Sequence, residues 1–229
     1  FRLVDLEFDV DWHTRRNMLR LNIQTDFLTR RVRNEIAFGY IERKTTKNTS
    51  FEMARFEVPQ HRWLEMGEDD HGLVIVNDSK YGFSAHHSEI SLSLLRGAIY
   101  PDFFSDEGKH HFEFRLIPHD GDWKPVALRH GVSFNMMIPA IHGRIRNPMG
   151  ILKELFEISE NPVLSSLKKR YDSEEVVVRF YESRGERTKL NIKKGMFRSN
   201  ILEDELEPAG SCEIFRPFAV RTFIYKPLK

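Results

Sequence analysis

The sequence predicts an all-β protein: a large sandwich over residues 1–145, a connection over 146–160 and a smaller sandwich over 161–229. Three observations predict it. Short runs rich in Val, Ile, Leu, Phe and Tyr, several with period-two alternation, recur along most of the chain. Gly, Pro, Asn and Asp punctuate those runs at short intervals, as in sandwiches and barrels. Helix signals are sparse.

Taken in order, Leu3, Val4, Leu6, Phe8 and Val10 mark a first strand, and residues 18–23 (MLRLNI) alternate as a second. Between them DWHTRRN is polar and turn-like. Residues 34–41, 53–58, 72–76, 90–95 and 111–117 continue the series. Residues 147–155 (NPMGILKEL) carry the one helix start, with Asn147 as cap and Pro148 at the first helical position. The pattern soon gives way to Ser-Glu-Asn-Pro, so this segment reads as the connection. Residues 175–181, 187–192 and 218–225 then form a second strand cluster. The opening, FRLVDLEFDVDW, begins inside a strand-like alternation with no polar lead-in, which raises the expectation of a piece cut from a longer protein.

Composition narrows the function classes. With 229 residues, 40% hydrophobic and 30% charged, the chain can bury a core without covalent staples. Thirty-five basic and 34 acidic residues nearly cancel, which argues against nucleic acid or an anionic membrane as partner. Cys212, the single cysteine, excludes an internal disulfide framework and points to a reducing, cytoplasmic setting. No apolar run approaches the roughly 18–20 residues needed to span a bilayer.

The polar constellations are mostly ordinary. His86–His87 and His110–His111 are adjacent pairs, and neighbours on a regular strand point to opposite faces, so neither pair chelates one ion; no metal site is expected. Asp69, Asp70, Asp78, Asp102, Asp106, Asp120 and Asp122 sit in turn-like contexts that suit Asp without any catalysis. The insert between two apolar runs, NDSKYGFSAHHSE over residues 77–89, stands apart. In it an aromatic ring lies beside amide, carboxylate and ammonium groups, the equipment that grips a sugar by its C–H face and hydroxyls. Asn77, Asp78, Lys80 and Tyr81 are therefore candidates for a substrate-proximal or interface role. Arg96 and Asp102 join them if the loop after Leu95 packs on the same edge.

Several stretches together carry a family resemblance. Residues 48–63 (NTSFEMARFEVPQHRW), 72–102 (GLVIVNDSKYGFSAHHSEISLSLLRGAIYPD) and 110–123 (HHFEFRLIPHDGDW) follow one another in order. With VVVRFYESRGERTKLNI (176–192) and FRPFAVRTFIYK (215–226), they resemble the carboxy-terminal β region of family 38 α-mannosidases, in the prokaryotic and cytosolic branch. The resemblance covers essentially the whole chain. It implies a supersandwich of the galactose-mutarotase type followed by a small terminal β-sandwich. It also implies that catalysis resides upstream, in an α/β domain with an Asp nucleophile and a divalent metal, expected to be zinc. On that reading no catalytic residue and no cofactor belongs to this chain. Its partners would be the upstream catalytic domain of the same polypeptide and an α-mannoside, with a homo-oligomer of the intact enzyme compatible. Two other classes stay open: a free-standing carbohydrate-binding module, and a mutarotase-type isomerase, which the fold alone does not license.

Overall fold

A computed structural model describes residues 3–136, 153, 155–157, 159–171, 173–193 and 195–226. The chain is all-β and divides into two compact units, one with residues 3–37 and 41–136, the other with 38–40 and the described residues from 153 onward.

The first unit is a sandwich of two antiparallel sheets. The larger takes the order β1 (Val4–Trp12), β10 (Gly108–Asp120), β7 (His71–Asn77), β6 (Trp63–Gly67), β3 (Arg31–Ile36), β4 (Gly39–Lys44). The smaller runs β2 (Met18–Gln24), β9 (Glu89–Arg96), β8 (Gly82–His86), β5 (Val58–Pro59). Period-two alternation aims one set of side chains between the sheets. Val32, Leu64, Met66, Ile75, Phe112 and Phe114 from the first sheet meet Phe83, Ile90 and Leu92 from the second, all buried.

The outer face of the larger sheet is capped by a helix, α2 (Trp123–Asn135), that the sequence reading missed. Asp122 caps it, its carboxylate accepting from Lys124 N–H at 3.1 Å. Trp123, Ala127 and Gly131 form its buried stripe. Gly131 allows the close approach: a Cβ there would stand 2.6 Å from Trp63 Cδ1. Beneath the helix lie Trp63, Glu65 and Arg33, outward-facing residues of β6 and β3 that are nonetheless buried.

Three further expectations need correction. Residues 53–58 are not one strand: Thr49 Oγ1 accepts from Glu52 N–H at 3.2 Å and starts a short helix, α1 (Ser50–Met53), leaving only Val58–Pro59 to pair. Residues 34–41 are not one strand either, because Phe38 at φ 59° reverses the chain between β3 and β4. The insert 77–89 is not a single loop. It contains β8, which pairs with β9 through Phe83–Leu92 and Ala85–Ile90. The expected helix at 147–155, like most of the expected connection at 146–160, falls outside the described residues.

The second unit has a sheet ordered β11 (Val163–Lys169), β12 (Val176–Tyr181), β17 (Val220–Tyr225), β14 (Phe197–Ser199), β15 (Glu205–Pro208), with a pair β13 (Thr188–Asn191) and β16 (Cys212–Phe215). Its core gathers Phe156, Val178, Phe180, Leu190, Phe215 and Phe223. Among the described residues no helix is long and apolar enough to cross a membrane.

Candidate functional site

Of three loops, residues 13–17 after β1, 78–81 after β7 and 97–107 after β9, register places the first and third at one end of the sandwich and the second part-way along β10, where Asn77 pairs with Phe114. The six candidates from the sequence lie in or beside the second and third loops, in different circumstances.

Asn77, the last residue of β7, is fully buried and internally engaged. Its Nδ2 donates to His61 O at 2.8 Å, its Oδ1 accepts from Lys80 N–H at 2.9 Å, and its carbonyl accepts from Asn135 Nδ2 at 3.0 Å. The side-chain amide thus ties the approach to β6 to the start of the 78–81 loop, while the main-chain carbonyl holds the end of α2. Asp78 is half-buried; its N–H donates to Glu113 O at 3.3 Å and its carboxylate accepts from Ser79 Oγ at 2.8 Å. Lys80 sets its Nζ 4.8 Å from the centre of the Phe112 ring, a cation over an aromatic face. Tyr81 leaves its ring open to solvent while its carbonyl accepts from Gln60 N–H at 2.8 Å.

Arg96 ends β9 with its N–H bonded to Asp106 Oδ2 at 2.7 Å and its side chain exposed. Asp102 accepts from Phe104 N–H at 2.9 Å, the local turn bond that short acidic residues favour. Among the described residues no hydrogen bond joins the 78–81 loop to Arg96 or Asp102. The structure does not gather the six candidates into one cluster.

The sequence reading overlooked the residues that make this end cohere. Arg16 N–H donates to Gly97 O and Gly97 N–H to Asn17 O at 2.9 Å, knitting the first and third loops together. Arg15 stacks 4.3 Å from the Phe103 ring and 4.8 Å from that of Phe104, and pairs with Glu107 at 3.1 Å. Tyr100, Phe103 and Phe104 remain exposed beside it. The sequence signal was the pair of adjacent Phe residues, with Tyr100 close by, in a loop that also carries Asp102, Asp106 and Glu107.

The histidine argument also needs amendment. His86 ends β8 and His87 enters the turn at φ 51°, so their rings meet at 4.2 Å rather than facing apart. His111 does point away from its neighbour, but it finds carboxylates, Asp9 at 2.9 Å and Glu7 at 3.9 Å across the strand pair and Glu113 at 3.4 Å on its own strand. Glu7, Asp9 and His111 form one ligand-capable group, and Glu68, Asp70 and His71 another. Both lie on open surface, mostly exposed, without the enclosed ligand set of a catalytic metal centre, so the metal implied by the family resemblance is not assigned to either.

Comparison with known proteins supplies the context. The family model for the glycosyl hydrolases family 38 C-terminal domain matches residues 1–104, and that for the glycosyl hydrolases family 38 C-terminal beta sandwich domain matches 161–223. The chain belongs to the C-terminal region of glycosyl hydrolase family 38. Alpha-mannosidase G of Dictyostelium discoideum is 32% identical over 96% of this chain, and Alpha-mannosidase 2C1 of Homo sapiens 32% identical over 94%. The chain spans only 22% of either relative's length. In fold it is similar to the crystal structure of an alpha-mannosidase from Enterococcus faecalis V583, with a TM-score of 0.80 at 14% identity, covering 98% of this chain and 27% of that one. The exposed loop end thus belongs to the C-terminal β region of a glycosyl hydrolase family whose named relatives are several times longer.

Proposed function

We propose that this chain works as the C-terminal β region of a cytoplasmic α-mannosidase that removes terminal α-mannosyl groups with retention of configuration. The observation that carries the reading is the ordered match of both family 38 C-terminal models to one chain, at the spacing of a single polypeptide. Retaining hydrolysis takes two carboxyl groups flanking one glycosidic bond. None of the carboxylates at the loop end is so disposed: Asp78 and Asp102 are committed to local bonds with Ser79 and Phe104. As the family resemblance implies, the reacting groups and a divalent metal, expected to be zinc, belong to the remainder of the polypeptide. This chain supplies a rigid support and the loop end facing that catalytic domain.

In these loops, Asp78, Lys80, Tyr81, Arg96 and Asp102 serve the interface or the edge of the sugar site, with Asn77 holding the 78–81 loop. Exposed tyrosine and phenylalanine rings suit both a domain contact and a sugar C–H face. They also favour the second reading, a binding module without catalysis. One experiment separates the two. The full-length polypeptide should hydrolyse an aryl α-mannoside and release the α-anomer first, while residues 1–229 alone should show no turnover with or without added zinc. Binding of mannosides without hydrolysis by the full-length protein would favour the module.

A further inference from the structure

On the flank away from β1 and β2, the two sheets of the first unit end together, the larger at β4 and the smaller at β5. The chain crosses from one to the other through residues 45–57, and this crossing lines a cleft. Val32 and Phe83, almost wholly buried, give the cleft an apolar floor at the edge of the core. Its walls carry four cations, Arg43, Lys44, Lys47 and Arg55, against one carboxylate, Glu52. In a chain whose 35 basic and 34 acidic residues nearly cancel, that is a concentrated positive charge.

The carboxylate is already engaged. Glu52 binds Lys44 Nζ at 3.3 Å and accepts from Asn48 N–H at 2.8 Å and from Thr46 Oγ1 at 3.3 Å. Arg43, half-buried, donates its Nε–H to the neutral Oδ1 of Asn34 at 3.0 Å. Among the described residues, no carboxylate pairs with Arg43, Lys47 or Arg55. Burial, and after it the charge of Arg55, lowers the pKa of Arg43. Two like charges thus share the cleft, and neither has a counter-charge among the described residues. A fully solvated lysine needs no counter-ion, but a half-buried guanidinium facing a second one gains from a shared anion.

Size narrows the choice of anion. The cleft encloses about 30 Å³, where one water needs about 10–15 Å³. It therefore holds a group as large as a carboxylate or a phosphate, and not a sugar ring. Charge decides between these two. Three unpaired cations match a phosphate dianion better than a carboxylate with its single charge, and guanidinium forks take phosphate oxygens in pairs. We propose that this cleft is a binding site for a phosphate group, held by Arg43, Arg55 and Lys47. Inorganic phosphate fits it, and so does a phosphate monoester whose remaining part stays outside.

Calorimetric titration of the full-length protein at fixed ionic strength tests this, with inorganic phosphate, glucose 6-phosphate and acetate as probes. Phosphate should saturate a single site, with acetate weaker by about tenfold or more. Arg43→Gln and Arg55→Gln should each weaken phosphate by about tenfold or more. Arg31→Gln, which removes a cation already paired with Asp69 and Glu42, should leave the affinity unchanged. Lys47→Gln alters an exposed side chain and gives the same reading where Arg43→Gln impairs folding. Glucose 6-phosphate binding more tightly than phosphate identifies an ester as the natural ligand, and weaker binding identifies the free ion. Phosphate binding that survives all three cleft substitutions lies elsewhere in the polypeptide and overturns the proposal. So does acetate binding as tight as that of phosphate. Absence of any binding also overturns it and leaves the cleft to a carboxylate from the remainder of the polypeptide.

Discussion

Arg33 on β3 holds the carboxylate of Glu65 on β6, Nη1 to Oε2 at 2.6 Å, with the Glu65 side chain wholly buried and only a tenth of the Arg33 side chain exposed. The Trp123 ring lies 5.2 Å from the guanidinium, and His119 Nε2 stands 3.4 Å from the other Glu65 oxygen. The polar group sits where α2 meets the sheet.

Removing one member of a buried ion pair leaves the other charge uncompensated, which costs about 3–5 kcal/mol. Arg33→Met should therefore lower the stability of the first unit by that order in urea denaturation. The double variant Arg33→Met with Glu65→Leu should recover much of the loss, since apolar replacement of both partners is often close to neutral. A double variant no more stable than the single one would show that the loss does not come from an uncompensated Glu65 charge.

Asn77 and Tyr81 should separate cleanly. Asn77→Ala leaves the His61 carbonyl and the Lys80 N–H without their part-buried partner and should destabilise by about 1–3 kcal/mol. Tyr81→Ala removes an exposed ring and should change stability by less than about 0.5 kcal/mol. In the full-length enzyme the same Tyr81 variant should lower turnover or raise KM. Thermal melts beside steady-state kinetics on both variants decide the matter.

Glu182 in the second unit is fully buried and accepts four hydrogen bonds, from Phe218 N–H (2.8 Å), Asn161 Nδ2 (2.8 Å), Arg184 N–H (2.7 Å) and Gly185 N–H (2.9 Å). Burial works against the ionised form, but the hydrogen bonds outweigh it and hold the carboxyl below its ordinary value of 4.5. As pH drops, the unfolded carboxyl takes up a proton before the folded one does. The stabilisation is therefore complete above 4.5 and is lost as pH falls through the lower folded value. Glu182→Gln should remove this part of the acid sensitivity and lower stability at neutral pH. Denaturation curves from neutral to acid pH, with a fluorescent reporter in the second unit, measure both.

His111 moves the other way. Its hydrogen bond to Asp9, reinforced by Glu113, favours the imidazolium and raises its pKa above 6.5. The contribution to β1–β10 pairing is present below 6.5 and fades as pH climbs through the raised folded value. An NMR titration of the His111 ring should give a midpoint above 6.5, and Asp9→Asn should bring that midpoint down. A midpoint unmoved by the substitution would remove Asp9 as the cause.

How far the sequence reached depends on what each element is made of. The β2, β7, β9 and β12 strands were legible because bulky apolar residues alternate or cluster where both sheet faces are covered. The α2 helix was not, since its buried stripe includes Ala127 and Gly131, residues with almost no hydrophobic signal. It packs by closeness rather than by bulk. Residues 34–41 hid a hairpin because its reversal falls on Phe38, an aromatic residue in a left-handed turn conformation that sequence patterns assign to a strand. At the candidate site, side-chain chemistry singled out Asn77 and Tyr81 together, yet burial separates them: one is consumed inside the protein and one is offered outside. Exposure depends on tertiary packing that a local stretch does not encode.

The pairing of β1 with β10 has a consequence for how the chain is made. Asp5 and Arg115, which close that pair, lie 110 residues apart. At roughly 5–20 residues per second, a ribosome that has finished β1 needs on the order of 5–20 s more to deliver β10. Throughout that interval Leu6, Phe8 and Val10 lack their partners on β10, and a nascent strand of such residues invites pairing with the wrong neighbour. The acidic row on its opposite face, Asp5, Glu7, Asp9 and Asp11, then acts before any fold exists: self-repulsion between nascent chains on a polysome would keep these segments apart until β10 emerges.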